Sequence, residues 1–86
     1  MIQFNTVKVG DILEHRHKKT KSYARIDKII DDYAYGSLVV ILNDIIYSRN
    51  DMYWKIDNFN KRAKKNKFKK SKLSQLKFDF LYFLGM

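Results

Sequence analysis

The chain has 86 residues, no cysteine, no proline and only three glycines, at positions 10, 36 and 85. Without thiols, neither a disulfide framework nor a thiolate zinc site can form, so zinc fingers, zinc ribbons and thiol nucleophiles are excluded. Three scattered glycines exclude a Gly-rich phosphate loop. The first residues, MIQFNTVKVG, lack the basic start, long apolar run and small-residue cleavage site of a secretory signal. No window approaches the roughly 18 consecutive apolar residues that cross a bilayer, so no membrane span and a cytoplasmic setting are expected. A chain this short makes one small domain, and its thirteen aromatic residues must supply much of the packing.

What is abundant is positive charge, and its placement is uneven. Residues 1–60 carry nine basic side chains against eight acidic ones, whereas residues 61–86 carry nine basic ones against Asp79 alone. Almost all of the +9 formal charge therefore belongs to the C-terminal third. Within it, KRAKKNKFKKSK (61–72) holds eight Lys and Arg in twelve positions. The supply of Ile, Asn, Lys and Tyr resembles the coding bias of AT-rich genomes such as many phages carry.

The first sixty residues read as short strands between turns. Gly10 and Asp11 launch DILEHRH, and the polar KKTK (18–21) suits a hairpin loop. SYARIDKII (22–30) alternates with period two. Asp31 and Asp32 begin a turn region that runs to Gly36, and SLVVIL (37–42) suits a buried central strand. Asn43-Asp44 and Asn50-Asp51 punctuate two more strands, IIYSR (45–49) and MYWKI (52–56). Five short strands in sixty residues predict a closed or half-closed barrel, because one open sheet this small covers neither its edges nor its core.

In DNFNKRAKK (57–65), Asp57 or Asn58 caps a short helical turn, or the segment returns as a last strand. Further on, Leu73, Leu76, Phe80 and Phe83 recur at spacings of three, four and three, which predicts a short amphipathic helix with Ser71 as a candidate N-cap. The competing pattern is the alternation of Phe78, Phe80, Tyr82 and Leu84. The division expected is a barrel over 1–60, a basic arm over 61–72, and a helix over 73–86 packed on the barrel or on a partner.

The order VKVGDILEH, a basic loop, YARIDKI, a glycine, LVVIL and WKIDNFNKR resembles the SH3-like small barrels of the KOW and Tudor type. The resemblance covers residues 4 to about 62. It implies a mainly β, five-stranded SH3-like barrel and a binding role toward nucleic acid, ribosomal partners, polymerase or peptide motifs, without choosing among them. The early Gly-Asp and LVVILND (38–44) also resemble the MazF toxin ribonucleases, which implies a less favoured ribonuclease reading. Gly36-Ser37 stand where that family has Arg-Pro.

The candidate site residues follow from charge and aromaticity. Lys61, Arg62, Lys64, Lys65, Lys67, Lys69 and Lys70 would track a phosphate backbone and gain by counterion release, an effect blind to sequence. Lys outnumbers Arg in the run, and Lys lacks the planar fork that reads guanine. Lys18, Lys19 and Lys21 form a second basic patch. Tyr33 and Tyr35, placed in the turn region, would stack on unpaired bases. His15 and His17 share a strand face but lack a third ligand, so they read as polar residues at a strand end. Asp31, Asp32, Asp44, Asp51 and Asp57 coincide with turn or cap positions, which explains them without catalysis.

The expectation is thus a non-enzymatic DNA- or RNA-binding accessory protein without metal or cofactor. The alternative is a phage-type modulator that binds a host protein through the helix residues Leu73, Leu76, Phe80 and Phe83, with homodimerisation a further option.

Overall fold

The computed structural model describes residues 7–55, 58, 61 and 69–86. The strands are β1 (Ile12–His17), β2 (Thr20–Ile30), β3 (Tyr33–Leu42), β4 (Ile45–Lys55) and β5 (Lys69–Lys70), followed by the helix α1 (Gln75–Leu84). They form one antiparallel sheet in the order β4-β3-β2-β1-β5. The chain is therefore mainly β with a short C-terminal helix. Among the described residues, four strands, not five, precede residue 60, and the fifth comes from the end of the basic run.

Each of the first three hairpins turns on two residues. His17 pairs with Thr20 across Lys18 and Lys19, Ile30 with Tyr33 across Asp31 and Asp32, and Leu42 with Ile45 across Asn43 and Asp44. Asn43 and Asp44 both have positive φ, at 50° and 65°, as a type I′ turn requires, and Asn and Asp tolerate that region better than most residues. The expected turn over 31–36 is thus confined to its first two residues, and Tyr33 to Gly36 lie inside β3.

Two irregularities bend the sheet where β2, β3 and β4 run side by side. Asp27 is an extra residue in β2, since Ile26 pairs with Gly36 and Lys28 with Tyr35. Asn50 and Asp51 together oppose Ser37, since Arg49 pairs with Leu38 and Met52 with Gly36. Asn50-Asp51 is therefore a β-bulge inside one eleven-residue strand, with Asp51 at φ 56°, and the two strands expected over 45–56 are one. Gly36 sits between both bulges. A Cβ built on it would stand 1.8 Å from the carbonyl oxygen of Arg25, so this strand position accepts only glycine.

The sheet has a core on each face. Val7, Leu13, Ile26 and Ala34 are buried together on one face, with Ile29 and Trp54 against them. On the other, Ile12, Tyr23 and Val39 surround Phe78 of α1, with Ile41, Ile46, Leu73, Leu81 and Tyr82 around them. Successive strand residues point to opposite faces, so neighbours such as Ile12 and Leu13 serve different cores.

Helix α1 is anchored at both ends. Ser74 is its N-cap and accepts a hydrogen bond from the Lys77 backbone N–H, displacing the expected cap three residues onward from Ser71. Ser71 instead continues the β5 ladder, donating its N–H to the Ile12 carbonyl at 2.7 Å. At the C-terminal end the Ser48 hydroxyl donates to the Tyr82 carbonyl at 2.7 Å, and the Ser48 N–H to the Gly85 carbonyl at 3.2 Å. Gly85 lies so close that a Cβ would meet Ser48 Oγ at 2.3 Å.

The face of α1 that docks is not the one that the spacing of leucine and phenylalanine predicts. Phe78 is fully buried, whereas Leu76, Phe80 and Phe83 are 81%, 61% and 73% exposed. Of the four predicted contact residues, only Leu73, which precedes the helix, packs on the sheet. The helix is apolar on most of its circumference, and polar ties accompany the docked face: Arg25 reaches Asp79, and Ser48 reaches the helix end. Among the described residues, no helix is long and apolar enough to cross a membrane.

Candidate nucleic-acid interface

Alternation on β3 and β4 creates the most distinctive surface of the molecule. Ala34 and Trp54 turn into one core, so Tyr33, Tyr35, Tyr53 and Lys55 turn the other way. Tyr35 pairs with Tyr53 and Tyr33 with Lys55 across the strands. The rings come together: Tyr33 and Tyr35 lie 6.4 Å apart between centroids, Tyr33 and Tyr53 6.0 Å, and Tyr35 and Tyr53 6.3 Å. Tyr33 and Tyr35 are half-buried, while Tyr53 is 64% exposed.

Two lysines frame the tyrosines. Lys28 Nζ stands 5.3 Å from the centre of the Tyr35 ring, and Lys55 Nζ 6.0 Å from that of Tyr33. Beside them Tyr35 and Tyr53 line an open cleft of about 560 Å³ with Asp27, Lys28, Gly36, Ser37, Asn50 and Asp51. The Asp27 carboxylate is occupied within the protein: it accepts from Arg25 Nε at 2.8 Å and from the Ser37 hydroxyl at 3.4 Å. Asp51 stays as a negative group on the rim. Both bulges lie under this cleft, and they aim the tyrosines to one side.

The other predicted site residues are dispersed. Lys18 and Lys19 form the β1–β2 turn and Lys21 follows on β2, all exposed. Lys19 and Lys21 line a second open cleft of about 590 Å³ with Ile41, Asn43 and Asp44. The nearest residue of this patch on β2, Lys21, is seven residues from Lys28, up to roughly 23 Å along the strand, in a molecule whose longest extent is 32 Å. The structure does not join it to the tyrosines. In the basic run, Lys61 is helical and exposed, and Lys69 and Lys70 form β5 against Glu14 and Leu13. Lys70 Nζ lies 3.4 Å from Asp11 Oδ2, so part of its charge is answered internally. Arg62, Lys64, Lys65 and Lys67 lie outside the described residues, as does Asp57.

His15 and His17 do share a face, with ring centroids 6.5 Å apart. Among the described residues, no group of three or more His, Asp or Glu side chains could hold a metal ion. Asp31, Asp44 and Asp51 occupy positive-φ positions of turns and a bulge, a sufficient reason for their presence.

Tyr53, one of several aromatics scattered over the strands, was not singled out from the sequence, and Lys28 and Lys55 escaped that reading. The signal was a phase change. The residues 45, 47 and 49 are followed by 52 and 54 on the same face, and that jump marks the bulge that carries Tyr53 across from Tyr35.

Comparison with known proteins finds no matching family model, no matching curated relative and no matching solved structure.

Proposed function

We propose that this chain is a non-enzymatic nucleic-acid-binding module that stacks unpaired bases on Tyr33, Tyr35 and Tyr53 and holds the phosphate backbone with lysines. The observation that carries the reading is the cluster of three tyrosines framed by Lys28 and Lys55 beside an open cleft. Aromatic rings stack on any base, by about 1–3 kcal/mol each, and lysines attract phosphates without reading base edges. A module built this way prefers single strands and tolerates sequence. The remaining charge, most of it in residues 61–86, adds long-range attraction.

The fold is read as an SH3-like small barrel. That reading is supported by the four-strand meander, by the return of β5 beside β1, and by two bulges that coil the long strands.

The test is fluorescence anisotropy with labelled single-stranded DNA, single-stranded RNA and duplex DNA of equal length, over a salt series. The reading predicts tighter binding of the single strands, weakening steeply as salt rises. Absence of binding at low salt, or equal binding by a variant with all three tyrosines changed to alanine, would overturn it.

A further inference from the structure

Because Phe78, Leu81 and Tyr82 turn toward the sheet, α1 shows solvent a second apolar side. Leu76, Phe80, Phe83 and Leu84 recur at spacings of four, three and one, which places them on one stripe, and Met86 extends it. Their exposures are 81%, 61%, 73%, 50% and 83%. At about 100 Å² for each large side chain, the ridge offers on the order of 500 Å² of apolar surface, comparable to the largest patches of ordinary monomers, which are often functional.

The charge around this ridge is mostly positive. Lys77 lines a shallow groove of about 610 Å³ with Leu76 and Phe80, together with Ser74 and Asp79. Lys69 and Lys72, just before the helix, are exposed. Asp79 is the one acidic residue of 61–86, and it is held by Arg25.

These observations choose between two occupants. A second copy of the chain would need about 800 Å² from each partner for a standard interface, more than the ridge supplies, and would bring two strongly cationic C-terminal segments together. An anionic lipid surface needs no shaped counterpart, accepts Phe and Leu side chains at the headgroup boundary, and attracts the neighbouring lysines. We propose that α1 is a membrane-surface contact, in which Leu76, Phe80, Phe83 and Leu84 enter the interface of a bilayer rich in anionic phospholipid while Lys69, Lys72 and Lys77 lie among its headgroups. The contact lies on the surface without spanning, and it uses residues other than those of the tyrosine cluster.

The test is co-sedimentation of the full chain, free of nucleic acid, with vesicles of phosphatidylcholine alone or with about one third phosphatidylglycerol. The expected result is binding to the anionic vesicles roughly tenfold or more above binding to the neutral ones. The Phe80→Ser, Phe83→Ser double variant should lose that binding with its circular dichroism and unfolding midpoint unchanged. Should it fail to fold, Leu76→Ser takes its place, with a several-fold loss expected. Three results would overturn the proposal: no binding of the wild type to anionic vesicles, binding by folded ridge variants equal to wild type, or a sedimentation-velocity dimer that these substitutions abolish, which would give the ridge to a second copy.

Discussion

The guanidinium of Arg25 lies 5.0 Å over the ring of Phe78. The same side chain bonds Asp27 on its own strand and Asp79 on the helix, so one residue links a bulge, the second core and α1. The ring is fully buried and Arg25 itself is 21% exposed in its side chain, which places a cation at the edge of an apolar core. Such a cation is tolerated because carboxylates and the face of the ring replace its water.

Phe78→Ala should therefore be severe. Removing a fully buried phenylalanine typically costs about 3–5 kcal/mol, a large part of the stability of a domain this size. Phe80→Ala, two residues away and 61% exposed, should change stability by less than about 0.5 kcal/mol. Urea unfolding of the two variants checks the contrast, and equal losses would mean that the helix docks by another face.

The pair between Arg25 and Asp79 should contribute modestly, since Asp79 is 53% exposed in its side chain. Asp79→Asn is expected to cost about 1 kcal/mol or less. Arg25→Ala removes the contact with Phe78 and the bond to Asp27 as well, and should cost more, roughly 1–3 kcal/mol. Urea midpoints of the two variants distinguish a surface ion pair from a central tie.

At Gly36 the obstacle is another strand's backbone. A methyl group there would meet the Arg25 carbonyl at 1.8 Å, and no side-chain rotation relieves it. Gly36→Ala should cost at least about 2 kcal/mol and spread the β2–β3 pairing beneath the tyrosines. Amide exchange of β2 and β3 measures this directly, with faster exchange expected around Ile26 and Lys28.

Tyr53→Ala addresses function with little effect on folding, because the ring is 64% exposed. The expected loss of single-strand affinity is about 1–3 kcal/mol, roughly a factor of 5 to 150 in Kd, with the salt slope unchanged. Lys28→Gln and Lys55→Gln should instead flatten the salt slope, because the proposed binding gives each lysine a phosphate contact.

Much of the fold was legible in the sequence, and the failures have physical causes. Alternation, the polar KKTK and the Asp-Asp and Asn-Asp pairs at 31–32 and 43–44 gave away four strands and three turns. Asn50-Asp51 misled because the same residues that permit a turn at positive φ also permit a bulge. Gly36 misled for a related reason: glycine marks a turn or a close approach of two backbones, and only the neighbouring strand decides which. The helix was legible as a helix, yet its buried face was not, since both of its sides are apolar and the docked one meets Ile12, Tyr23, Arg25, Val39 and Ser48, far away in sequence. In the site, Tyr33 and Tyr35 were visible as candidates. Their meeting with Tyr53 depends on register, which shifts by one residue at each bulge.

The most direct test of base stacking on the tyrosines is the NMR spectrum of their ring protons during titration with a single-stranded oligonucleotide. Stacking predicts large upfield shifts at Tyr33, Tyr35 and Tyr53, saturating together with the amide shifts of Lys28 and Lys55. Saturable binding that leaves all three rings unmoved and shifts only the lysines of the 18–21 turn and the 61–72 run would contradict the account.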